Sequence, residues 1–73
     1  MFVPERLVSM ANQISHFFAG YPQPAAVDGV ADHIRRFWSP QMRTDIFAHI
    51  DAEGGKDLDA LALEALKKLR SKS

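Results

Sequence analysis

Ser39-Pro40 is the feature that most limits what this chain can become. Proline disfavours helical geometry in the residue before it, and its own fixed φ suits the first position of a new helix. Ser39 can supply the cap. One helix must therefore end near residue 38 and another begin at 40. Two further breaks flank this one, at Gly20 with Pro22 and Pro24, and at Gly54-Gly55. Between the breaks, apolar residues recur at spacings of three and four, the period of an amphipathic helix. No segment alternates as a strand would. The expectation is an all-α single domain over residues 1–73, a small bundle of four short helices. Their bounds are about 4–19, 24–38, 40–52 and 59–70, with a frayed terminus at 71–73.

Pro4 suits the first turn of the first helix, whose stripe reads Leu7, Met10, Ala11, Ile14, Phe17 and Phe18. Ser9, Asn12, Gln13 and His16 fall on the wetter side. Gly20 is expected as a left-handed cap, with the Tyr21 ring covering the helix ends. The second stripe is Val27, Val30, Ala31, Ile34, Phe37 and Trp38. It coincides with the first after a shift of twenty positions, which fits a duplication or simply the shared helical period. Two such stripes joined by a short turn should pack as an antiparallel hairpin. The third helix offers Met42, Ile46 and Ile50, with Phe47 on one flank and His49 at the other edge. Asp59 is the expected cap of the fourth, which buries Leu61, Ala62, Ala65, Leu66 and Leu69. Glu64 can pair with Lys68, and Lys67, Lys68 and Arg70 suit the negative end of the helix dipole.

Composition then narrows the function classes. A 73-residue chain buries only about 60% of the surface its unfolded form exposes, so its stability margin is a few kcal/mol. There is no cysteine, which excludes disulfides, thiolate zinc sites and iron–sulfur clusters held by this chain. Nine basic residues balance nine acidic ones, whereas nucleic-acid binders carry net positive charge to neutralise phosphates. Arg35, Arg36 and Arg43 could form a local basic patch, but Asp45 and Asp51 on the third helix oppose a groove-binding role. No apolar run approaches the ~20 residues of a membrane span, and no signal peptide opens the chain. The reading is a soluble, cytoplasmic protein without nucleic-acid or membrane partners.

The chemistry-bearing residues point the same way. His16, His33 and His49 lie on three different predicted helices, without the spacing that puts two metal ligands on one helical face. Asp32 can pair along its helix with Arg35 or Arg36, and Asp45 with His49, as exposed ion pairs do. A general acid or base needs a closed cleft that four short helices rarely enclose. No catalytic, cofactor-binding or metal-ligating residue is assigned. What remains is aromatic surface in excess: Phe17, Phe18, Tyr21, Phe37, Trp38 and Phe47 are more than so small a core can easily hold. Aromatics beside arginines are the composition of protein-interface hot spots. His33, Arg35, Arg36, Trp38, Arg43 and Phe47 are the expected partner-docking residues, with Trp38 also a candidate core keystone. A free-standing homo-oligomer that hides its aromatics against itself is the second reading.

Met10-Ala11-Asn12-Gln13-Ile14, Phe17-Phe18 and Tyr21-Pro22 form the first half of a longer pattern. Ala31-Asp32-His33-Ile34-Arg35-Arg36-Phe37-Trp38, Pro40, Met42-Arg43 and His49 form the second. Together they resemble the delta subunit of soluble NAD-dependent formate dehydrogenase from about Leu7 to Leu69. Ala60, Ser39 and Gln41 depart from the pattern, which favours proline after the Asp59 cap and more charged neighbours of Pro40. The resemblance implies a non-catalytic accessory subunit that docks on a large catalytic subunit for assembly, cofactor insertion or stability. It places the bis-pterin molybdenum or tungsten cofactor, the iron–sulfur clusters, FMN and NAD on other subunits.

Overall fold

The computed structural model describes residues 5–72. Among them it forms four α-helices and no strand: α1 (Glu5–Phe18), α2 (Gln23–Phe37), α3 (Pro40–Glu53) and α4 (Ala60–Lys72). The expected roles of Pro4 and Ser73 fall outside the described residues. Ser71 and Lys72 belong to α4, and the Ser71 hydroxyl donates to the Lys68 carbonyl at 2.8 Å.

The breaks behave as their chemistry dictates. At the centre, Trp38 leaves the helix with extended backbone (φ −87°, ψ 142°) while its N–H still bonds the Ile34 carbonyl. Ser39 is the N-cap of α3, its hydroxyl accepting from the Met42 N–H at 3.2 Å, and Pro40 sits at the first turn. At the end of α3, Gly54 turns left-handed (φ 67°) and donates to the Ile50 carbonyl, and Gly55 follows at φ 77°. A side chain at Gly55 would also collide with Leu63, whose Cδ1 lies 2.8 Å from where a Cβ would stand. The first turn differs from expectation. Gly20 has no positive φ, because short bonds from Ala19 and Tyr21 back to His16 and Phe18 close the turn without a left-handed residue.

α2 packs most extensively on α4, and α1 packs on α2 and α4. The core is therefore centred on the α2–α4 pair and not on α1 with α2. Val27, Val30, Ala31, Ile34 and Trp38 from α2 and its cap meet Ala62, Ala65, Leu66 and Leu69 from α4, with Ile46 from α3. Small side chains at Ala31, Ala62 and Ala65 let the backbones approach closely.

α1 packs the expected stripe on the core through Leu7, Met10, Ala11, Ile14 and Phe18, but its most buried line is rotated toward Val8 and Ser15 and leaves Phe17 out. Val8, Ala11 and Ser15 are buried, at i, i+3 and i+7, and Phe17 is 75% exposed. At 3.6 residues per turn, Phe17 lies about 200° around the helix from Ser15, so both cannot face the core. Phe37 is likewise 71% exposed, because Trp38 turns inward at the end of α2 and closes that end of the core instead. Two expected side-chain pairs are replaced by others. Lys68 reaches across to Asp28 on α2 instead of back to Glu64, and Asp45 accepts from Gln41 at 2.8 Å instead of meeting His49.

Candidate docking surface

The junction of α2 and α3 is built from backbone upward. The last carbonyls of a helix lack partners within it. Two of them, on Arg35 and Trp38, accept hydrogen bonds from the Arg43 guanidinium at 3.0 Å each. A cation at this position also meets the negative end of the α2 dipole. Arg43 is thus a fastener of α3 onto α2. Trp38 is 5% exposed and belongs to the core.

Arg35 and Arg36 point outward and share Asp32, at 2.7 and 3.0 Å. The hydrogen bond from Arg35 holds the Asp32 carboxyl below the usual carboxylate range; partial desolvation opposes it, and the charges of Arg36 and Arg35 add to it. His33 is half-buried, its ring 4.7 Å from that of Phe37. Phe47 stands apart from this group. Arg70 of α4 lies 5.6 Å from the Phe47 ring centre and grips Asp51 with two bonds of 2.6 Å. That bidentate bond lowers the Asp51 pKa and raises that of Arg70. Of the six residues expected to dock a partner, Arg35 and Arg36 are exposed on α2, while His33 faces a groove beside α1, about 200° around the helix from Arg35. Trp38 and Arg43 tie the junction together, and Phe47 joins α3 to α4.

On the opposite side a polar latch holds α1 to the turn before α4. One carboxylate oxygen of Asp59 caps α4 by accepting the Ala62 N–H at 2.8 Å and also accepts the Ser15 hydroxyl at 2.7 Å. The Asp59 N–H donates to the Asn12 side-chain oxygen at 2.9 Å, and the Asn12 amide nitrogen donates to the Asp57 carbonyl at 2.9 Å. Asp57 itself has positive φ, 70°. His16 is exposed, 3.6 Å from the second Asp59 oxygen.

His49, expected at a core edge, is buried at 5% exposure with its Nε2 2.8 Å from the Lys56 carbonyl. A carbonyl only accepts, so Nε2 carries the hydrogen and Nδ1 of a neutral ring is an acceptor. Nδ1 has no hydrogen-bond partner and stands 4.0 Å from the Glu53 carboxylate. Among the described residues, no cluster of three or more His, Asp and Glu side chains is arranged to hold a metal ion.

Residues 6–66 match the family model of the NADH-dependent formate dehydrogenase delta subunit, FdsD. The chain belongs to the FdsD family. No curated protein and no solved structure matches it. The FdsD match begins in α1 and ends in α4, so it spans the Trp38 junction and the Asp59 latch alike. As a member of FdsD, the chain is a formate dehydrogenase delta subunit, with the other subunits of that complex as its partners. No described helix is long and apolar enough to cross a membrane.

Sequence reasoning missed three features of this surface. Asn12 falls on the wetter side by polarity and Ser15 carries no expectation, yet both make bonds that fix α1. A signal for them existed: Val8, Ala11 and Ser15 form a second stripe of small residues suited to close helix contact. The exposure of Phe17 follows once that stripe is chosen. The exposure of Phe37 depends on where Trp38 goes after the helix ends, which spacing does not encode.

Proposed function

We propose that this FdsD-family chain is a non-catalytic accessory subunit. It docks on the large catalytic subunit of a molybdenum- or tungsten-dependent, NAD-linked formate dehydrogenase in the cytoplasm. There it supports assembly, cofactor insertion or stability of the larger subunit. The observation that carries this reading is the family match over residues 6–66. The side chains support it too. Asp59 and Arg43 are engaged in capping, Asp51 in an ion pair, and His49 in a bond to backbone. These groups are committed to architecture. The chain has no cysteine thiolate with which to hold an iron–sulfur cluster, which fits a subunit that leaves electron transfer to its partners.

The test is expression of the catalytic and electron-transfer subunits with and without this chain. Formate-dependent NAD reduction and bound molybdenum or tungsten should both fall in its absence. The chain alone should show no turnover. Unchanged yield, metal content and activity in the complex without the chain would refute the accessory role.

A further inference from the structure

We infer that the exposed rings of Phe17, Tyr21 and Phe37, set around the half-buried Phe18, are the surface by which the chain docks on a larger subunit of the complex. The rings form two groups on either side of one groove. Tyr21 and Phe18 lie 5.7 Å apart between ring centres, and Phe18 and Phe17 5.0 Å, edge to face. Phe17 and Phe18 line one groove of about 280 Å³ with Ile14 and His33, and the His33 ring is 4.7 Å from Phe37. The groove lining includes no carboxylate, lysine or arginine. The match to the protruding rings is therefore an apolar pocket on the partner, and the groove, whose lining also includes Gln13, takes an uncharged side chain from it.

Phe17, Phe37 and Tyr21 are 75%, 71% and 53% exposed. With 150–250 Å² for a full aromatic side chain, these three leave about 400 Å² of ring surface open. That is the size of the largest patch on a typical monomer, and such patches are often functional. None of these rings is needed to close the core, which Trp38 and the aliphatic residues of α2 and α4 already fill.

The area also chooses the occupant. Two copies meeting face to face through these rings would cover about half of the ~800 Å² per partner that a standard stable interface buries. A larger subunit can wrap the rings in a pocket and continue the contact beyond them. The partner is thus a larger subunit of the complex in which FdsD proteins belong, an assignment that rests on the proposed function above.

The test uses the full chain, tagged and co-expressed with the other formate dehydrogenase subunits. The wild type is compared with the double variant Phe17→Ser and Phe37→Ser, and with Glu64→Gln and Lys67→Gln, on the exposed side of α4, as a control. Because both phenyls are exposed, the double variant should keep its helical circular dichroism and melting temperature. It should retain about tenfold less of the large subunit, or lower still, as the loss of two hot-spot aromatics implies. The α4 control should retain nearly all of it. Undiminished retention by the folded phenyl variant would overturn the aromatic face while leaving complex membership intact. A wild-type dimer that dissociates on the phenyl substitutions, with co-purification unchanged, would assign the face to a second copy and overturn the inference. If folded wild type recovers no subunit at all, the proposed function fails first and this surface with it.

Discussion

Replacing Asp59 with alanine tests the internal architecture at its most connected point. The carboxylate does two jobs with one oxygen, capping α4 through the Ala62 N–H and accepting the hydroxyl of Ser15, a residue only 2% exposed. Loss of a capping carboxylate costs about 1 kcal/mol. A buried hydroxyl left without its acceptor adds roughly 1–3 kcal/mol. Asp59→Ala should therefore destabilise by about 2–4 kcal/mol, a large share of the few kcal/mol available to a domain of this size. Ser15→Ala alone should cost less, roughly 1 kcal/mol, because the cap survives and no group is orphaned. The two effects must not add. Once Ser15 is alanine, removing Asp59 strands no hydroxyl, so a double-mutant cycle should show about 1–2 kcal/mol of coupling. Urea unfolding followed by circular dichroism and by the fluorescence of the lone Trp38 gives all four stabilities. Additive effects within about 0.5 kcal/mol would refute the shared-oxygen latch.

Other parts of the structure make equally definite claims. Trp38→Ala should destabilise by about 3–5 kcal/mol and leave the isolated chain largely unfolded, read as loss of helical circular dichroism at 25 °C; a folded Trp38→Ala chain would contradict the burial of the indole. Asp51 and Arg70 predict a pH dependence. The Asp51 pKa is depressed in the fold, so its contribution is present above the ordinary aspartate value of about 3.9 and is lost as pH falls through the lower folded value. Wild type should therefore lose more stability than Arg70→Gln between pH 5 and pH 2, on the order of those limits, when thermal melts are compared. Equal losses would show that the pair is not formed.

The four helices were legible because the chain marks their ends with residues whose backbone preferences are strong. Ser39-Pro40 and Gly54-Gly55 fall where the structure breaks, and Asp59 caps α4 as its side chain suggests. The α2 stripe was legible for a related reason, since Val27, Val30, Ala31 and Ile34 permit only one buried face. α1 was ambiguous. Leu7, Met10, Ile14 and Phe18 pack as the period suggests, but periodicity cannot say that the buried line rotates toward Val8 and Ser15 and leaves Phe17 out. The side chains of Arg43, Lys68 and Arg70 find partners five to forty positions away in sequence, on other elements. Local spacing sees only partners three or four residues off, so it assigned Lys68 to Glu64. The Trp38 junction was found as a place, but the inward turn of Trp38 moved the exposed aromatic surface to Phe17 and Phe37.

Native mass spectrometry of the formate dehydrogenase complex, purified through a tag on its large subunit after co-expression with this chain, addresses the central claim directly. The account predicts a complex whose mass includes the 8.2 kDa chain and which releases it, folded, on gentle activation. A complex complete without the chain, with the chain recovered as a separate folded species, would contradict it.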